Sequence, residues 1–140
     1  MITFKNIIIL LIFLFSSNNS FAAKYGTGEL KLSNATVQYF IRYIRGKQFQ
    51  YPSEFYVTID GSNATYWYCS EMTNCSEGSI SQNLAICFRN TGIECKKFAR
   101  KRTIKWKNNI NPGKGKISQI KTKWSDQEIK LHLKELGFID

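Results

Sequence analysis

Four cysteines and one histidine are the residues of this 140-residue chain whose types could support covalent or metal chemistry. The cysteines are separated by five, eleven and seven residues: Cys69, Cys75, Cys87 and Cys95. Thiolate pairs that bind structural zinc usually stand roughly two to four residues apart, and this sequence has no such pair. The spacing therefore favours two disulfides over a zinc site, and three connectivities are possible.

The remaining reactive residues do not predict an active site, a metal or a cofactor. His132 is the only histidine, and the sequence places no serine or free thiol beside it. Glu71 and Glu77 lack a spacing that would indicate general acid and base catalysis. A small cationic hydrolase for a polyanionic or glycan substrate remains the alternative to a non-enzymatic binding protein. An acidic residue facing the aromatic strand Tyr66–Tyr68 in a concave pocket would favour the hydrolase.

Residues 1–22 have the organisation of a secretory signal peptide. Lys5 supplies the positive charge, Ile7–Phe15 is an apolar run of nine residues, and Ser20 and Ala22 are the small residues required before a cleavage site. The run is much shorter than the ~20 apolar residues that cross a bilayer. We therefore predict an exported protein, periplasmic or secreted, that begins at Ala23 and has no membrane span. Disulfides persist in such compartments.

The elements that must position the cysteines are two helices and two β-hairpins within residues 23–107. Serine caps and apolar periodicity predict the helices, and alternation around turn residues predicts the strands. The helices are expected at 34–45 and from 80 to about 90, and the strands at 54–59, 64–69, 95–99 and 103–107. If Cys87 lies near a helix end and Cys95 opens the next strand, the turn between them favours a Cys87–Cys95 bridge. That pairing would leave Cys69 with Cys75.

Beyond the second hairpin, we predict a basic linker over residues 108–123 and a capped helix within 124–140. Ser125 and Glu128 form a capping box, and Gly137 is placed for a left-handed C-cap. A helix of this length is marginal alone in water. Its apolar stripe, Ile129, Leu133 and Leu136, must therefore dock either on its own domain or on another molecule, which is a partner or a second copy of the chain.

The formal net charge of +10 is concentrated in one part of the chain. Residues 96–123 contain eleven lysines and arginines and no acidic residue. Alternation in the second hairpin predicts a cationic face, formed by Lys97, Lys101, Lys105 and Lys107, opposite an apolar one. The predicted polyanion-binding residues are Lys97, Arg100, Lys101, Arg102, Lys105 and Lys107.

The partner predicted for this basic surface is an anionic envelope component or a glycan. Basic side chains bind anionic membranes and nucleic acids alike. Nucleic acid is ranked lower, because the chain has no nucleic-acid-binding signature and is expected to be exported. The alternative is that AT-rich codons, which encode Ile, Lys and Asn, have enriched lysine without any partner.

The segment from Cys87 to Trp106 resembles a pattern found in small exported bacterial domains of unknown function. The pattern has a helix cysteine, a glycine turn at Thr91-Gly92, a Cys-x-x-Phe-Ala strand beginning at Cys95, and a final Ile-x-Trp. This resemblance implies an exported α+β domain with a disulfide from helix to strand, and it implies no catalytic residue. The predicted fold is a small disulfide-stabilised α+β domain of two β-hairpins and two helices, with a basic linker and a C-terminal helix.

Overall fold

A computed structural model describes residues 25–70 and 78–140. Within them lie three α-helices and a four-stranded antiparallel sheet of strand order β2-β1-β3-β4. The elements are α1 (Asn34–Arg45), β1 (Gln50–Thr58), β2 (Ala64–Ser70), α2 (Ile80–Thr91), β3 (Cys95–Arg100), β4 (Thr103–Ile104), a 3-10 helix (Lys116–Ser118) and α3 (Asp126–Glu135). The predicted α+β class is confirmed. The predicted signal peptide lies outside the described residues.

Local signals set the ends of α1 and α3 as predicted. The Ser33 hydroxyl accepts a hydrogen bond from the backbone N–H of Thr36 at 3.2 Å, which satisfies a free donor at the start of α1. Ser125 and Glu128 form the predicted capping box of α3. Gly137 adopts a φ of 82°, and the N–H of Phe138 donates to the carbonyl of Leu133, which completes a Schellman end.

One face of the sheet, which we call the core face, carries Phe55, Val57 and Phe98 beneath α1 and α3. The Phe98 ring lies 5.3 Å from that of Phe40 in α1 and 5.0 Å from that of Phe138 after α3. The apolar stripe of α3 is buried in the same cluster: Ile129, Leu133 and Leu136. Of the two predicted alternatives, α3 therefore docks on its own domain.

The opposite face, which we call the polar face, carries Tyr56 and Cys95 beneath α2. A disulfide joins Cys87 of α2 to Cys95 of β3, as the predicted helix-to-strand pairing required. Because these two thiols are consumed, a four-cysteine zinc site cannot form. Cys69 is also disulfide-bonded, and its predicted bond to Cys75 lies outside the described residues.

Residues 108–123 belong to the folded domain and do not form the predicted linker. Asn111 is fully buried, and its side-chain amide donates to the carbonyls of Ile104 and Trp106 at 3.2 and 2.7 Å. Buried Ser118 donates to Asn111 Oδ1 at 2.6 Å. Ile120 is also buried in the main core. Side-chain hydrogen bonds to backbone order this segment, and such bonds have no sequence periodicity.

Candidate polyanion-binding surface

Lys97, one of the predicted polyanion-binding residues, is buried and does not belong to any surface. Its side chain is 0% exposed, and its Nζ lies 2.5 Å from Oε1 of Glu54. The predicted alternation is correct, since Lys97 and Phe98 lie on opposite faces of β3. The prediction of exposure is wrong because α2 covers the polar face, where Asn83 of α2 donates to Oε2 of Glu54 at 3.0 Å.

Lys105 and Lys107 lie along the edge of the domain, beyond the short β4. The N–H of Lys105 donates to the carbonyl of Phe98, so this residue lies level with the middle of β3. Its half-buried side chain places Nζ 5.9 Å from the centre of the Tyr25 ring. Lys107 is exposed and pairs through its backbone with Thr27. The structure therefore does not group these two lysines with the turn that joins β3 to β4.

That turn holds the other three predicted residues, Arg100, Lys101 and Arg102, at one end of the sheet. Lys101 is exposed with a φ of 49°, and its N–H donates to the carbonyl of Ser53 at 2.8 Å. The buried Tyr43 hydroxyl donates to the Lys101 carbonyl at 2.7 Å. Burial, followed by the negative charge of Glu54, raises the pKa of Tyr43 well above its ordinary value. The hydroxyl therefore remains a proton donor that fixes the turn against α1.

The end of α1 brings further basic side chains to this turn. Arg102 donates through Nε to the carbonyl of Ile44 at 3.3 Å. Lys47 follows α1 and lies with its Nζ 5.7 Å from the centre of the Tyr68 ring. Arg45 forms an exposed ion pair with Asp126 at 2.6 Å. Arg42 lies one turn before Arg45, with its guanidinium 5.7 Å from the centre of the Tyr39 ring. We call this region the cationic end, and its members are Arg42, Arg45, Lys47, Arg100, Lys101 and Arg102.

Sequence reasoning missed the three members of the cationic end that lie in or just after α1, Arg42, Arg45 and Lys47. They belong to residues 24–95, where six basic residues balance six acidic ones, so a count by segment shows no excess. One signal was present in the sequence. Arg42 and Arg45 stand in the last turn of α1, which Gly46 caps, and Lys47 follows the cap directly, so the sequence places three basic residues at this helix end.

The aromatic strand β2 contributes mainly to packing. Tyr66 stacks on Phe55 at 5.7 Å between ring centres, and the Tyr68 hydroxyl donates to the Arg42 carbonyl at 3.0 Å. A cavity of about 270 Å³ lies beside Tyr66. None of the described residues that line it is acidic: Tyr39, Asn63, Ala64, Thr65, Tyr66, Asn90 and Thr91. The acid that would have favoured a hydrolase is therefore not among them.

Two further observations concern compartment and ligands. The Cys87–Cys95 disulfide is compatible with an oxidising environment outside the cytoplasm. Over residues 25–70 and 78–140, no helix has the length and apolar character needed to cross a membrane. The same residues contain no cluster of three or more histidine, cysteine or acidic side chains that could hold a metal ion.

Comparisons of the chain with protein-family models, with curated proteins and with solved structures gave no match.

Proposed function

We propose that this protein is an exported, non-enzymatic module that binds an anionic component of the cell envelope through its cationic end. The observation that carries the proposal is the convergence of two basic segments that are distant in the sequence. Residues 42–47 and residues 100–102 meet through the hydrogen bonds of Tyr43 and Arg102. Segments that are brought together in this way form a local field stronger than either segment alone would give.

The magnitude of the expected attraction is sufficient for reversible binding. Each lysine or arginine close to an anionic membrane surface contributes ~1 kcal/mol, and this contribution falls off within about 10 Å at moderate salt. Arg42, Lys47 and Lys101 are exposed. Arg45 contributes less, because Asp126 already offsets its charge. Binding should therefore weaken steeply as salt concentration rises.

Two features support a binding role in the envelope. The cavity beside Tyr66 is lined by hydroxyl, amide and aromatic groups, which can donate hydrogen bonds to a ligand and stack on it. The disulfide suits an oxidising compartment, in agreement with the expectation of a signal peptide. Export is tested by sequencing the N-terminus of protein recovered outside the cytoplasm, which should begin at Ala23. Recovery of the chain only in the cytoplasm, with residues 1–22 attached, would contradict it.

The cationic end is tested by the triple variant Arg42→Gln, Lys47→Gln and Lys101→Gln. These side chains are exposed, so the fold should be retained. Loss of three charges at ~1 kcal/mol each predicts binding weaker by about 100-fold. The measurement is co-sedimentation with vesicles of phosphatidylglycerol and phosphatidylcholine, together with retention on heparin, each over a range of salt concentrations.

A matched control carries the same loss of charge elsewhere on the surface. Lys107, Lys114 and Lys134 are exposed and are not members of the cationic end. The variant with all three changed to Gln should bind within a few-fold of the parent. If both triple variants lose affinity equally, binding reflects net charge alone and the proposed surface is wrong. If neither loses affinity, the proposed surface is equally wrong.

A further inference from the structure

The turn between α1 and β1 exposes an aromatic side chain in a backbone conformation that such residues rarely adopt. The N–H and C=O groups of Lys47 and Gln50 bond to each other at 2.9 and 3.1 Å, which leaves Gln48 and Phe49 at the tip. Phe49 has a φ of 59°, in the left-handed region that glycine or asparagine usually occupies. The residue is 67% exposed. Neither burial nor turn preference explains a phenylalanine here.

Strain of this kind persists where the surrounding structure imposes it, and it often marks a functional position. The neighbours of Phe49 indicate what that function is. Lys47 belongs to the cationic end, and Tyr51 in β1 is 42% exposed. The register of β1 places Gln50 beside Ser70, and the N–H of Lys101 bonds to the carbonyl of Ser53. The aromatic tip and the basic β3–β4 turn therefore lie at the same end of the sheet.

The combination fits the surface of an anionic lipid bilayer. A phenylalanine that protrudes from a turn can enter the acyl region without a preformed pocket, and a tyrosine is favoured at headgroup level. Basic side chains around the tip can contact headgroup phosphates. Other exposed apolar residues, such as Phe88 at 56% and Leu131 at 57%, lie outside the cationic end. Phe49 thus differs from them in lying next to the cationic end.

We infer that Phe49 inserts into an anionic lipid bilayer while the cationic end holds the headgroup phosphates. This inference rests on the proposed function and specifies its ligand as a membrane in place of a soluble glycan. The charges bring the protein to the surface, and Phe49 adds apolar contact that salt does not screen.

The test compares Phe49→Ser with the matched variant Phe88→Ser. Phe88 lies near the C-terminal end of α2, next to Cys87, which is bonded to Cys95. Because Cys95 pairs with Thr58, Phe88 lies at the end of β1 opposite to Gln50. With vesicles of phosphatidylglycerol and phosphatidylcholine, Phe49→Ser should bind about tenfold more weakly, because one aromatic side chain is no longer buried in lipid. Phe88→Ser should bind like the parent. Retention of Phe49→Ser on heparin should be unchanged.

A second pair of variants separates insertion from folding. Phe49→Gly removes the backbone strain, so its thermal midpoint should equal or exceed that of the parent while its vesicle affinity falls. Phe49→Trp should keep the affinity of the parent, and the fluorescence that it adds should be quenched by bromine-labelled lipid tails.

Each outcome is decisive. If Phe49→Ser binds vesicles like the parent, or if the fluorescence added by Phe49→Trp is not quenched, the inference is wrong. The proposed function would still stand if the triple variant of the cationic end loses binding. If that triple variant binds vesicles and heparin as well as the parent, the proposed function itself fails.

Discussion

The two faces of the sheet are covered by helices that are held in different ways. On the core face, α1 and α3 bury aromatic and aliphatic side chains around Phe98, whereas the buried charged residues of the described chain, Glu54 and Lys97, lie on the polar face. On the polar face, Cys87 is the one residue of α2 that is fully buried, and it is bonded covalently to Cys95. Burial of apolar side chains attaches α1 and α3 to the sheet, whereas a disulfide and a polar network attach α2.

Glu54 is the central acceptor of the polar network. Glu54 accepts hydrogen bonds from Tyr56 at 3.2 Å and from Asn83 at 3.0 Å, in addition to its ion pair with Lys97. Buried ion pairs contribute little net stability, because desolvation offsets their attraction, but breaking one is costly. On the polar face, removal of one partner of the ion pair should therefore destabilise the fold, whereas removal of both partners should cost much less.

The largest effect is expected on the core face from Phe98→Ala. Removal of a fully buried ring leaves a cavity among Phe40, Phe55 and Phe138, and should lower the free energy of unfolding by about 4 kcal/mol. Urea denaturation measures the loss. The exposed Phe88→Ala serves as the control and should change stability by less than about 0.5 kcal/mol. Equal losses in the two variants would contradict the assignment of the core.

The next largest effect is expected on the polar face from Lys97→Met. This variant leaves the Glu54 carboxylate buried without its cation and should cost about 3 kcal/mol. The double variant Lys97→Met with Glu54→Leu removes both charges and should recover most of that loss. Urea denaturation of the parent, of each single variant and of the double variant completes this double-mutant cycle. If the two substitutions add without recovery, the polar face is not organised around the ion pair.

An intermediate effect is expected when Cys87 and Cys95 are both changed to Ala. The bond closes a loop with a sequence separation of 8, for which the loss of chain entropy is worth about 2.5 kcal/mol. Hydrogen exchange should show loss of amide protection in α2, with α1 still protected, since α1 is held by the core face. Equal loss of protection in both helices would show that the two layers unfold together.

The smallest effect is expected at the β1–β2 turn, which lies outside both faces. Hydrogen bonds from the hydroxyl of Thr58 and from the N–H and hydroxyl of Ser62 lower the pKa of Asp60. A lowered pKa in the folded state stabilises the fold above the ordinary pKa, and this contribution is lost as pH falls through the lowered value. Asp60→Asn should therefore flatten stability against pH in the acid range, as thermal unfolding at several pH values can test. An unchanged acid dependence would exclude this role.

The parts of the fold that could be predicted are those that depend on local sequence signals. The serine caps of α1 and α3, the turn at Asp60 and the Cys87–Cys95 pairing each depend on a few neighbouring residues. Even the alternation of Lys97 and Phe98 in β3 was correct. These features follow from backbone geometry, which relates residues that are only a few positions apart in the sequence.

The parts that failed depend on contacts between distant segments. Nothing near Lys97 in the sequence shows that α2 covers its face, or that Glu54 in β1 is its partner. Asn111 orders residues 108–123 through bonds to carbonyls, which no pattern of hydrophobicity records. The cationic end was identified only in half, because its other members, in and just after α1, lie in a segment of balanced charge.

The contacts that Phe138 makes near the end of the chain determine when the core can be completed. The carbonyl of Phe138 accepts a hydrogen bond from the N–H of Leu32, and its ring packs on Phe98 at the centre of the core. The first of these contacts joins a residue that is synthesised early to one that is synthesised more than a hundred residues later. The native packing around Phe98 is therefore completed only after residue 138 has been synthesised, so this part of the core forms at the end of translation or after it.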